Sequence, residues 1–300
     1  MLLEIMGHKE QIEKLKKIVK TDKVANAYIF EGMSGIGKCT VAKEFAKALL
    51  CLSEGSRPCN EYIACKTFED SNNFILLAPE GNVIKVDSIR ALKEELMLKP
   101  ITSDRKVAII NDAECMNEQA QNALLKILEE PPKYVTIILI TSNKEKLLYT
   151  IKSRCISFQF QPLKEEELRA YFEEPIEKEL LEYARGSIGA IVNAKENHAT
   201  EAIAKWVQAF RQESLIELMR DVNEVREEKY VKDHLQDFLE YLLYLYYKDM
   251  KEKKQDTTGA IAIVEETRNH ILRNANVDIA LDRMVINLWK WRRECKRLLV

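Results

Sequence analysis

The sequence lacks a dominant charge. Its 300 residues carry 46 Lys and Arg against 48 Asp and Glu, a net charge of −2. That balance excludes a chain that binds a polyanion with its whole surface, so any nucleic-acid contact is local or shared with partners. A long apolar run is also missing. The greasiest segment, Phe238 to Tyr247, contains Glu240 and falls far short of the roughly 20 residues a bilayer crossing needs. Met1-Leu2-Leu3-Glu4 shows no basic region leading into an apolar stretch and a cleavage site, so export is not expected. The seven cysteines are odd in number, which argues against a disulfide framework and for the reducing cytoplasm. Histidine is sparse: His8, His198, His234 and His270 are scattered. Internal repeats and low-complexity segments are absent. What remains, at 46% apolar and 31% charged, is material for two or three domains with buried cores.

Against that background stands Gly32-Met33-Ser34-Gly35-Ile36-Gly37-Lys38-Cys39. The glycines free backbone amides to close around phosphate oxygens, and the lysine reaches the terminal phosphates. The last position of such a loop is normally Ser or Thr, which holds Mg²⁺; here it is Cys39. Thr40 does not replace it, because one residue along a helix turns the side chain by about 100°. Ala27 to Phe30 reads as a buried strand entering the loop and Thr40 to Leu50 as an Ala-rich helix leaving it, which is the context the motif requires.

Residues 8–20 repeat apolar positions at helical spacing. Val107 to Ile110 and Val135 to Ile140 are further apolar strands, and between them a helix from Asn117 to Glu130 is closed by Pro131-Pro132. Strands alternating with helices predict a parallel sheet with its ligand at the strand C-terminal ends. After Pro162 strand-like runs vanish. Residues 163–195 suggest three short helices, and 201–249 and 261–299 longer ones separated by a polar loop from Lys251 to Gly259. The second strand ends in Asn111-Asp112. An active P-loop ATPase normally ends it in Asp-Glu, the first supporting the metal and the second orienting the attacking water. An amide and a shortened carboxylate both work against phosphoryl transfer.

The run Asn122-Ala123-Leu124-Leu125-Lys126-Ile127-Leu128-Glu129-Glu130-Pro131-Pro132, with Ser153-Arg154-Cys155 beyond it, resembles AAA+ clamp-loader subunits of bacterial DNA polymerase III. Asn274-Ala275-Asn276 followed by Ala280-Leu281 is similar to the collar signature of the same family, so the resemblance covers nearly the whole chain. It implies an α/β plus all-α architecture: a RecA-like AAA+ P-loop domain over 1–162, a small helical lid over 163–200 and a helical collar over 201–300. Cys39, Asn111-Asp112 and Gly189, which stands where an active subunit carries a phosphate-sensing arginine, point to the largely non-catalytic delta-prime branch. ATP or ADP binding at Gly32, Gly35, Gly37, Lys38, Cys39, Asn111 and Asp112 is then weak or absent. The alternative is a self-sufficient ATPase motor acting in cis, which the intact Gly37-Lys38 favours.

In that family the arginine matching Arg154, flanked by Ser153 and Cys155, points at a neighbour's ATP as an arginine finger. Thr141-Ser142 matches the sensor-1 position. Implied partners are tau/gamma and delta subunits, with the sliding clamp and primed DNA reached through the complex and no membrane. Lys85, Arg90 and Lys93, on a helix that Asp87 is expected to cap, face either that DNA or plain solvent. The family often carries a four-cysteine zinc module over residues corresponding to the loop 51–65. Here Cys51, Cys59 and Cys65 match three of the ligands, Cys51 at slightly shortened spacing, and Tyr62 takes the place of the fourth. Either Glu61 or another nearby group completes a zinc site, or zinc is lost and the loop survives as a packed knob.

Overall fold

The computed structural model describes residues 5–298 apart from 54, 56, 62, 101–102, 173, 197–198, 229–230, 233, 253–255 and 274. The chain divides into two compact units, Met1–Gly189 and Ala190–Val300.

The first unit is built on five parallel strands: β1 Ala27–Glu31, β2 Phe74–Leu77, β3 Lys106–Ile110, β4 Val135–Thr141 and β5 Ile156–Gln159. Their order is β2-β3-β4-β1-β5. The central strands are apolar throughout because helices cover both faces, and alternate residues serve opposite cores. Tyr28, Phe30, Val107, Ile109, Ile138 and Ile140 join Leu15, Val41 and Phe45 on one side. Ile29, Ala108, Ile110, Ile137 and Leu139 join Ile89, Leu92, Leu124 and Ile127 on the other.

β1, β3 and β4 sit where the sequence predicts strands. The edge strands β2 and β5 escape that reading because they are four residues long and largely uncovered, with one buried side chain each. The P-loop helix Lys38–Leu50 buries Val41, Ala42, Phe45, Ala46 and Leu49 at helical spacing. Helix Glu118–Glu129 is capped by Asn117, whose side chain accepts from the Ala120 N–H at 2.8 Å. Helix Val86–Met97 differs from expectation at its start. Asp87 is not the cap but lies in the first turn, paired with Arg90 at 2.9 Å, and Lys85 holds the cap position without a side-chain bond.

Helices Glu165–Tyr171 and Lys178–Ala184 fall in the first unit, and helix Ile188–Glu196 runs across the division. The second unit contains helices Ala199–Ala209, Leu215–Arg226, Leu235–Glu252, Thr258–Leu272 and Val277–Leu298. Its core includes Trp206, Phe238, Leu239, Leu242, Val264, Met284 and Leu288. The two long helices expected there are broken into shorter ones. One break is made by Asn276, whose side chain caps the last helix by accepting from the Ile279 N–H at 3.0 Å. Asn274, the first residue of the collar signature, lies outside the described residues.

Candidate nucleotide site and arginine edge

The strand C-terminal ends gather the P-loop after β1, Asn111-Asp112 after β3 and Thr141-Ser142 at the end of β4. They border a cavity of about 670 Å³ lined in part by Ser34, Lys38, Cys39, Asp112, Tyr171 and Gly189. A space of that size is typical of ligand pockets. The groups around it, however, are bonded to one another. Lys38 is buried, and its ammonium donates to the loop's own Gly32 and Met33 carbonyls at 2.6 and 2.7 Å. Burial pulls its pKa down, partly countered by Glu114 and Asp112. Asn111 Nδ2 donates to Asp112 Oδ2 at 2.9 Å. Asp112 has a left-handed backbone with φ 48°, and burial and the nearby Glu114 raise its pKa against the pull of Lys38. At Cys39 burial pushes the thiol pKa up, so the position offered to Mg²⁺ holds a protonated sulfur, a poor ligand for a hard cation.

The clearest departure from an active site lies at Gly189. Its N–H donates to the Gly35 carbonyl at 2.8 Å, and the Ser187 hydroxyl donates to the Ser34 carbonyl at 3.1 Å. A Cβ on Gly189 would meet Gly35 Cα at 2.9 Å, and one on Gly35 would meet Ser187 Oγ at 2.3 Å. Two glycines thus allow backbone to lie on backbone, directly over the phosphate loop. No arginine fits position 189 while that contact holds.

Arg154 lies apart from this cluster, beyond the helical turn Tyr149–Lys152. Its side chain is 37% exposed. One guanidinium nitrogen donates to the Thr150 carbonyl at 3.0 Å and another to Glu129 Oε1 at 3.1 Å. Ser153 Oγ donates to the same Thr150 carbonyl at 3.0 Å. Burial pushes the Cys155 thiol up to about 12, so it is no nucleophile. Arg154 is therefore a solvent-facing cation held in one orientation by its own chain.

Cys51, Cys59 and Cys65 converge. The Cys51–Cys59 and Cys59–Cys65 sulfurs are 3.6 and 3.5 Å apart, and all three lie within 4.8 Å of one another. Zinc–thiolate bonds near 2.3 Å in a tetrahedron put sulfurs roughly 3.8 Å apart, so the three donors fit zinc. Without metal, burial pushes the Cys65 thiol up to about 11. Among the described residues no other His, Cys, Asp or Glu joins the group, and Glu61, expected as a completing ligand, is exposed and outside it. Tyr62 lies outside the described residues.

A family model described as DNA polymerase III, delta subunit matches residues 7–164, more than half of the 300-residue chain. The chain belongs to the DNA polymerase III delta-subunit family. Within the family it is delta-prime-like, being 42% identical over 147 residues to the DNA polymerase III subunit delta' of Bacillus subtilis, an alignment covering 48% of this chain and 45% of that one. It is 33% identical over 198 residues to the DNA polymerase III subunit tau/gamma of Haemophilus influenzae, covering 62% of this chain and 29% of that one. The chain thus spans less than half the length of these curated relatives. A solved gamma subunit-related protein of DNA polymerase III from Thermotoga maritima superposes with a TM-score of 0.60, covering 91% of this chain and 97% of that one at 20% identity, a likeness of fold.

Three contributors to the site in this family member carry no motif of their own. Glu114 accepts from both the Ser142 N–H, at 2.9 Å, and the Ser142 hydroxyl, which takes the sensor-1 position out of play. His8 Nε2 donates to the Ile36 carbonyl at 2.7 Å, tying the segment before the first helix to the P-loop. Gln121 is buried and fully bonded: its amide donates to the Met116 and Lys146 carbonyls, both at 3.1 Å, and its oxygen accepts from Leu148 N at 2.7 Å. It fastens helix Glu118–Glu129 to the segment that leads into Arg154. The one available signal was a Gln inside an otherwise apolar stripe, a side chain that needs partners when buried.

Proposed function

We propose that this chain is the largely non-catalytic, delta-prime subunit of a cytoplasmic clamp loader. On this reading it assembles with tau/gamma and delta subunits to load the sliding clamp on primed DNA. The segment 163–200 acts as a lid and 201–300 as the collar that joins the ring. Among the described residues no helix is long and apolar enough to cross a membrane.

The observation that carries the reading is Arg154, exposed and oriented, in a chain whose own phosphate loop is occupied by its own atoms. A planar guanidinium aimed at a neighbour's γ-phosphate neutralises developing charge, an effect of about 10³–10⁵ in rate in comparable systems. Glu129 and Thr150 hold the guanidinium so that little side-chain freedom is lost on reaching across. In cis, by contrast, the lysine, the metal-ligand position, the water-activating position and the sensor positions are each spent on internal contacts. Any ATP or ADP bound in the cavity is bound weakly.

The residues fitted to zinc are Cys51, Cys59 and Cys65. The metal supplies a cross-link across a loop whose Asn60 also borders the nucleotide cavity, and no step of the ATP chemistry passes through it.

The rival reading, an ATPase acting in cis, is tested with the purified chain alone. With Mg²⁺ and ATP, turnover stays at background. Turnover at the rate of a motor subunit would contradict the proposal.

A further inference from the structure

The thiol cluster differs from a closed structural site in one respect: it brings three donors together, not four. The three sulfurs already sit near the spacing of a tetrahedron's edges. Cys51 and Cys65 are 2% and 1% exposed, whereas Cys59 is half-buried beside the exposed Asn60 and Glu61. The buried pair anchors the cluster to the domain, and the cluster opens toward solvent on the Cys59 side. Structural zinc is closed by four protein ligands, whereas three protein ligands leave a position for water or another small donor.

We propose that Cys51, Cys59 and Cys65 hold zinc through three thiolates, with the fourth coordination position open to an exogenous nitrogen or sulfur donor and filled by water when none is present. Metal entry releases the thiol protons, so occupancy falls as pH is lowered. The open position makes this metal exchangeable and gives the loop beside the nucleotide cavity a small-molecule ligand site. Three thiolates on a dication leave one net negative charge instead of two. Arg57 and Lys66 lie on the same segment, and Arg57 is fixed through its Nε to the Ser53 carbonyl at 2.6 Å.

This inference rests on the zinc reading given above, and one experiment separates the two. The full chain is stripped of metal, loaded with Co²⁺, and its thiolate charge-transfer and d–d absorption recorded while imidazole is added. Uptake of one equivalent supports the zinc reading; no uptake overturns it together with the inference. With metal bound, a saturable shift of the d–d bands by imidazole is the expected result. The variant Tyr62→Cys, which adds a sulfur between Cys59 and Cys65, then gains roughly a third in charge-transfer intensity and stops responding to imidazole. A wild-type spectrum indifferent to imidazole overturns the open position. If Tyr62→Phe alters that spectrum, the phenol is the closing ligand; if it does not, another protein group is.

Discussion

Gly189 stands 2.9 Å, measured from an added Cβ, from the Cα of Gly35. Nothing there is a flexible side-chain tip that could swing away; the obstruction is backbone. Gly189→Arg therefore does not rebuild a phosphate sensor. It is expected to lower stability by about 1–3 kcal/mol, as overpacking does, with ATP turnover still at background; denaturant unfolding and a turnover assay check both halves. Glu114 offers a pH test. Burial works to raise its pKa, but the hydrogen bonds from Ser142 and Thr141 outweigh that and hold it below the ordinary 4.5. Ionised Glu114 therefore stabilises the fold at neutral pH, and that contribution is lost as pH falls through its lowered pKa. Glu114→Gln should cost about 1 kcal/mol near neutrality, with the gap to wild type closing in acid. Asp112 has the opposite sign: its pKa is raised, so its charge opposes folding above the ordinary 3.8. Asp112→Asn is then neutral or slightly stabilising at neutral pH. At this scale Cys39, Asn111 and Gly189 were legible in the sequence because each breaks a motif at a known position. Their partners were not, since Glu114 to Ser142 and Gly35 to Gly189 are contacts across long sequence separations.

Among the elements, helix Glu118–Glu129 links most of the site. Its capping Asn117, the prolines after it and its apolar spacing made it readable. Gln121 and Glu129, which make it more than a core helix, were inside the family run or beside it but had no role until the turn Tyr149–Lys152 was seen packed nearby. Gln121→Ala leaves the Leu148 N–H and two carbonyls without their partner. The expected cost is about 1–3 kcal/mol in unfolding free energy, with looser placement of Arg154. Glu129→Ala removes only a partly exposed ion pair, so unfolding should move by less than about 1 kcal/mol while any effect on Arg154 appears in the assembled loader. The strands divide the same way. β1, β3 and β4, buried on both faces, announce themselves as unbroken apolar runs. β2 and β5 lie at the edges with alternating exposure, and four residues of alternation are too few to read.

For the molecule as a whole, the α/β half and the all-helical half were visible from the change in patterning after Pro162. The helix breaks of the second unit were not, because caps such as Asn276 sit within continuous helical periodicity. The division after Gly189 follows from the contact of Gly35 with Gly189, which draws residues 163–189 toward the P-loop unit. On the proposed reading this unit does not cycle with nucleotide, and its chemical contribution leaves through Arg154. The direct measurement is clamp- and DNA-stimulated ATP turnover by a loader reconstituted from wild-type motor subunits and either wild-type or Arg154→Ala chain. The account predicts a fall of at least about tenfold with the variant, given the size of arginine-finger effects, while the chain's own unfolding profile stays nearly unchanged. Undiminished turnover in a fully assembled ring would contradict it.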